Sequence, residues 1–138
     1  MDMNKWDHKD EWHRRGDKFL VVVKHHIVVP SIVGALEGPH RWTVYAYIYP
    51  NHRLFDKFDG PKMFQDATLG LPFHGGCSFL QWHFDGNGNP TSVQVGADYN
   101  HLHDDHFCDY ETADDARQVF VDADSLFDHL AQNYTQEE

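Results

Sequence analysis

The sequence predicts an α+β fold, an antiparallel sheet of about four strands packed against a C-terminal helix. Three observations predict it. Residues 18–29 and 41–49 carry the apolar runs and two-residue alternation of strands. Residues 78–84 and 91–97 form a second pair of such runs around a strong turn. Residues 112–131 repeat apolar side chains at three- and four-residue spacing. With 138 residues, 41% of them hydrophobic and 14% aromatic, the chain can bury a real core as a single domain over 1–138.

Residues 2–15 read as a short N-terminal helix ended by Gly16, with a thin apolar face of Met3, Trp6 and Trp12, or else as a flexible arm. The run 18–29 is rich in valine and almost continuously apolar, which predicts a central strand buried on both faces and ended by Pro30. Within it, one of His25 and His26 is expected to point to a polar neighbour. A loop over 34–39 leads to the second strand, where Trp42, Val44, Ala46 and Ile48 make one face and Thr43, Tyr45, Tyr47 and Tyr49 the other. The tyrosine stripe is read as a half-buried sheet face, since no basic residues interleave it as they would on a base-stacking platform. Residues 50–73 are read as irregular, broken by Pro50, Gly60, Pro61, Gly70 and Pro72. Asp85, Gly86, Asn87, Gly88, Asn89 and Pro90 make the strongest turn signal and predict a hairpin. Thr112 is the expected N-cap of the closing helix, with Asp115 placed to return a bond to it. Ala116, Val119, Phe120, Ala123, Leu126, Phe127 and Leu130 make its apolar face.

The charge is distributed unevenly. Residues 1–97 hold 10 bases and 10 acids, whereas residues 98–138 hold 12 acids and one base, Arg117, and so carry the whole net charge of −11. Carboxylates this crowded are well solvated, hold a cation, or meet a basic partner. The acid excess argues against direct binding to nucleic acid, whose phosphates need clustered lysine and arginine, and against an anionic membrane surface. It permits a basic protein or nucleoprotein partner. No apolar run approaches the roughly 20 residues that span a bilayer. Residues 1–15 are charged and carry no apolar leader-like stretch. Cys77 and Cys108 are isolated, which fits free thiols in a reducing compartment, so a cytoplasmic protein is expected. Nothing in the sequence sets the oligomeric state.

A dense cluster opens the acidic stretch. His101, His103, Asp105 and His106 stand in an H-x-H-x-D-H string that resembles the motif of the metallo-β-lactamase superfamily. That resemblance implies His101, His103 and His106 on one metal, or Asp105 and its neighbours on a second, and hydrolysis by metal-bound water. Imidazole nitrogens suit zinc and carboxylate oxygens a harder ion such as manganese, and Asp98 joins these residues as a candidate ligand of a local site. The string comes late, with only 32 residues after His106, and the one downstream histidine is His129. It is therefore read as a local His/Asp cluster, with or without a metal, rather than as membership.

A wider pattern joins His74, Gly75 and Gly76 to Gly96, Asp98, His101 and Asp104 and a final helix. It resembles a set of small phage-encoded proteins that carry an H-G-G strand and a G-x-D-x-x-H-x-x-D segment. The resemblance covers about half of the chain and implies a phage or prophage context without an activity. Because a hairpin brings the start of one strand to the end of its partner, His74, Asp98, His101 and Asp104 are expected to share a pocket. In an enzyme, His74, Asp98 and His101 would be the catalytic candidates. Equally, Asp98 can simply end its strand and His74 can bond a backbone carbonyl.

Two functions of different class follow. One is an acidic inhibitor of a host nucleic-acid-handling defence complex, anti-CRISPR-like, which docks Asp104, Asp105, Asp109, Asp114, Asp115 and Asp122 on a basic groove. The other is a metal-dependent hydrolase built on the His/Asp cluster.

Overall fold

The computed structural model describes residues 3–28, 38–100 and 104–132. One antiparallel sheet organises them, with strands β1 (Asp7–His8), β2 (Trp12–Gly16), β3 (Phe19–Ile27), β4 (His40–Ile48), β5 (Phe79–Phe84) and β6 (Pro90–Asp98). Their order across the sheet is β1-β2-β3-β4-β6-β5. A short helix, α1 (Asp66–Leu69), and a long one, α2 (Arg117–Ala131), complete the regular structure. The α+β class and the C-terminal helix match the sequence reading, and the sheet has six strands.

The two extra strands come from the segment read as an N-terminal helix. Only Met3–Lys5 makes a 3-10 turn there, and Trp12–Gly16 pairs with β3. Burial decides the matter. On β2, Trp12 can face α2 while His13 faces away, and the Trp12 ring meets Phe120 edge-on at 5.3 Å and Trp42 at 5.6 Å. Trp6 reaches the same Phe120 ring at 5.6 Å. The chain then reverses at Gly16, where a Cβ would collide with the ring of Phe19.

The β3 run is buried on both faces only from Phe19 to Val23, and Ile27 is 65% exposed. Phe19, Val21 and Val23 enter the core. Leu20 and Val22 lie on the other face beside their cross-strand partners Tyr47 and Tyr45, whose rings are half-buried as expected. His25 does find a polar neighbour, His40, with Nε2 and Nδ1 2.8 Å apart. Val29, Pro30 and most of the 34–39 loop lie outside the described residues.

The hairpin between β5 and β6 forms as predicted. Asp85 Oδ1 accepts the N–H groups of Asn87 and Asn89 at 2.8 and 3.0 Å, and Gly88 takes the positive φ of 83° that the turn requires. The stretch 50–73 is less irregular than read. Phe55–Lys57 makes a 3-10 turn and α1 follows, and Phe55, Phe58 and Leu71 fold into the core.

Regular helix begins at Arg117, later than the expected position. The predicted cap is nevertheless present one turn earlier. Thr112 N–H donates to Asp115 Oδ2 at 3.3 Å, Asp115 N–H donates to Thr112 Oγ1 at 3.2 Å, and Ala116 N–H donates to Thr112 O at 3.0 Å. From there Ala116, Val119, Phe120, Ala123, Leu126 and Leu130 lay one apolar face on the sheet. At the far end, Arg53 donates to the carbonyls of His129 and Gln132, and His52 bonds Leu130 O at 2.8 Å, closing a helix end whose carbonyls have no partner within the helix.

Candidate functional site

The site lies where β6 runs out. Strand alternation sends Ala97 and Tyr99 towards the helix layer and Asp98 to the opposite face. Tyr99 continues the ladder by donating its N–H to Trp42 O at 3.0 Å, and the residue is 2% exposed. The phenol emerges at α2, where its hydroxyl donates to Asp122 Oδ2 at 2.6 Å. Burial pushes the Tyr99 pKa far above the ordinary phenol value, and the bond to Asp122 and the charges of Asp122 and Asp104 push it the same way. Tyr99 is thus a permanent donor, and Asp122 a carboxylate whose direction it sets. Gln118 fixes the other oxygen from one turn away, with its amide N 2.7 Å from Asp122 Oδ1.

The His74 imidazole stacks on Tyr99, with ring centroids 4.4 Å apart and planes 12° from parallel. Its Nε2 stands 2.9 Å from both oxygens of Asp104. Asp104 is 6% exposed, so a carboxylate is held almost out of water against a histidine. Gly75 and Gly76, with φ of 68° and 89°, allow the chain to turn sharply after His74. Phe107 packs on the Tyr99 ring at 4.8 Å and on the His74 ring at 5.6 Å. His74, Asp104, Phe107, Gln118 and Asp122 border an open groove of about 500 Å³, walled also by Pro72, Phe73 and His106.

Of the four residues expected to meet, His74 and Asp104 do. Asp98 is carried to the other face of the sheet, opposite Thr43 on β4, and is exposed there. His101 and His103 lie outside the described residues. His106 is exposed on the 3-10 turn Asp105–Asp109, its ring 4.3 Å from that of Phe107. No group of three or more His, Cys, Asp or Glu side chains able to hold a metal occurs among the described residues.

The six acids assigned to partner contact divide into two sets. Asp105, Asp109 and Asp114 are exposed, and so is Asp115, which also caps the turn before α2. Asp104 and Asp122 turn inward to His74 and Tyr99. The stretch carrying the exposed acids is pinned to the body by buried Phe107, Cys108 and Ala116 and by the Trp42 indole, which donates to Tyr110 O at 3.0 Å. Both cysteines are buried and neither forms a disulfide.

Sequence reasoning missed Tyr99 and Gln118. Tyr99 sits inside the singled-out segment but reads there as a spacer. Only its place in the strand alternation, next to buried Ala97, marks it as inward-facing. Gln118 carries no signal apart from lying one turn before Asp122.

Chemically, a carboxylate-oriented imidazole can move a proton. Carboxylates beside aromatic rings can hold an organic cation. No helix among the described residues is long and apolar enough to cross a membrane. No protein-family model, curated protein or solved structure matches the chain.

Proposed function

We propose that this chain is a small acidic interaction protein that docks the surface around 104–122 on the basic groove of a partner protein. In the phage setting that the H-G-G and G-x-D-x-x-H-x-x-D pattern implies, the partner is a nucleic-acid-handling defence complex in the cytoplasm of the bacterial host. The carboxylates would stand where phosphates bind. The observation that carries the reading is the display of Asp105, Asp109, Asp114 and Asp115, all exposed on a stretch that the core anchors firmly. Anchored charges lose little freedom on binding and steer a positive partner quickly.

The test is capture of a basic host protein at low salt. The captured protein should be released by high salt and displaced by nucleic acid, and the Asp105→Lys, Asp109→Lys, Asp114→Lys triple variant should not capture it. Capture that ignores salt and the triple reversal would overturn the reading.

One observation favours a second reading. The bond from His74 Nε2 to both oxygens of Asp104 is the geometry of a base and its orienting group. A hydrolase would use that pair, with Asp98 and His101 as further candidates and with zinc or manganese on His101, His103, His106, Asp98 or Asp105. Stoichiometric metal in the purified protein, with hydrolysis lost in His74→Ala, would establish it in place of the docking reading.

A further inference from the structure

Arg14 shows how an α2 carboxylate and a neighbouring ring can together hold a guanidinium in this fold. Arg14 places its guanidinium carbon 3.7 Å above the ring of Phe127 and donates to Asp124 Oδ1 at 2.7 Å. One ring face and one α2 carboxylate hold that cation. Asp122, two residues earlier on the same helix, has the same kinds of neighbour, since the rings of Phe73 and Phe107 and the His74–Asp104 pair border the groove it faces. Its hydrogen bonds come from two neutral groups, the Tyr99 hydroxyl and the Gln118 amide. These donors orient the carboxylate, and each of its oxygens keeps a further lone pair to offer.

We infer that this groove seats one arginine side chain of the basic partner, its guanidinium bonded to Asp122 and its plane against the Phe73 and Phe107 wall. The inference rests on the docking reading and names the residue that reading would recognise. Anions are repelled by the two carboxylates. A lysine ammonium is a compact, strongly hydrated charge that can neither bond a carboxylate in parallel nor stack flat on a ring. The groove is therefore selective among cations, whereas the exposed acids of 105–115 attract any positive surface.

The experiment uses the full chain and two peptides of equal length and charge, one with arginines and one with lysines, followed by calorimetry at low salt. The arginine peptide should bind about tenfold more tightly. Asp122→Asn, which keeps an oxygen for Tyr99, should remove that preference and leave the shared, salt-sensitive binding. Gln118→Arg changes an exposed position and fills the groove from within. It should also erase the preference, with an unchanged melting temperature showing that the fold is intact. Equal binding of the two peptides by the unaltered protein, or a preference that survives both variants, overturns the groove but leaves the docking reading standing. Failure of both peptides to bind, or binding that the Asp105→Lys, Asp109→Lys, Asp114→Lys variant does not weaken, overturns the docking reading and the groove with it.

Discussion

Asp122 and Asp124 are carried by the same helix and meet opposite surroundings. Asp124 is neutralised within the chain, with Arg14 bonded to it and lying over Phe127. Asp122 is held by the hydroxyl of a buried tyrosine and the amide of a glutamine, beside a groove open to solvent. The first arrangement ties β2 to α2 and serves stability. The second holds a carboxylate at the edge of the groove and uses a buried phenol to keep it oriented. The contrast separates an acid paired with a cation of the chain from one held by neutral donors.

Removing a core ring of α2, the helix that carries both corners, should have the largest effect. Phe120 meets Trp6, Trp12 and Trp42, so Phe120→Ala should cost about 3–5 kcal/mol in denaturant unfolding and loosen both carboxylates together. Arg14→Ala attacks only the Asp124 corner. Losing a largely buried ion pair and a cation–π contact should cost about 2 kcal/mol, with capture of a basic partner unchanged. If capture falls as well, the two corners do not have separate roles. Tyr99→Phe attacks only the Asp122 corner. It should cost about 1.5 kcal/mol for a bond to a charged acceptor and should also weaken the arginine preference, because Asp122 loses its guide.

Acid should affect both corners through the frame that bears them. Burial lowers the pKa of His25, with the charges of His40 and His26 adding to it. Burial also lowers His52 and His129. A histidine depressed in the folded state is protonated first in the unfolded chain. Stability should therefore be full above the ordinary value of 6.5 and should fall as pH drops below it, levelling off once the folded groups have titrated. Urea midpoints measured between pH 8 and 5 check the sign, and a midpoint that rises in acid contradicts it. The smallest effect is expected at Asp114, whose exposed side chain should tolerate Asn within about 0.5 kcal/mol while the charge loss slows association with a basic partner.

The parts of this arrangement that could be read in the sequence were local. The 85–90 turn, the alternation of β4 and the apolar face of α2 each announce themselves within a dozen residues, and each stands where expected. β2 was not legible, because Trp6 and Trp12 show no period until Phe120 and Trp42 supply the surface they bury against. Asp98 was misplaced relative to His74 for a related reason. The hairpin rule brings strand ends together but is silent on faces, and the one-residue alternation from Tyr99 puts Asp98 on the far side. His74 and Asp104 could be brought together from the sequence because the chain ends that carry them are close. The Tyr99–Asp122 bond could not, since it joins a strand end to a helix through a buried ring.

The margins of the sheet have a consequence of their own. Strand edges invite further chains to add on, and proteins resist this by shortening or distorting them. Here one edge, β1, is two residues long, and at the other β5 ends in a register irregularity at His83 and Phe84 before Pro90, with the Trp82 indole tied across to Gly60 O. Among the described residues, one edge strand is thus short, and the other is distorted where it ends. Both features act against further strands adding to the sheet, even though Phe84 leaves 60% of its surface open to water beside one of them.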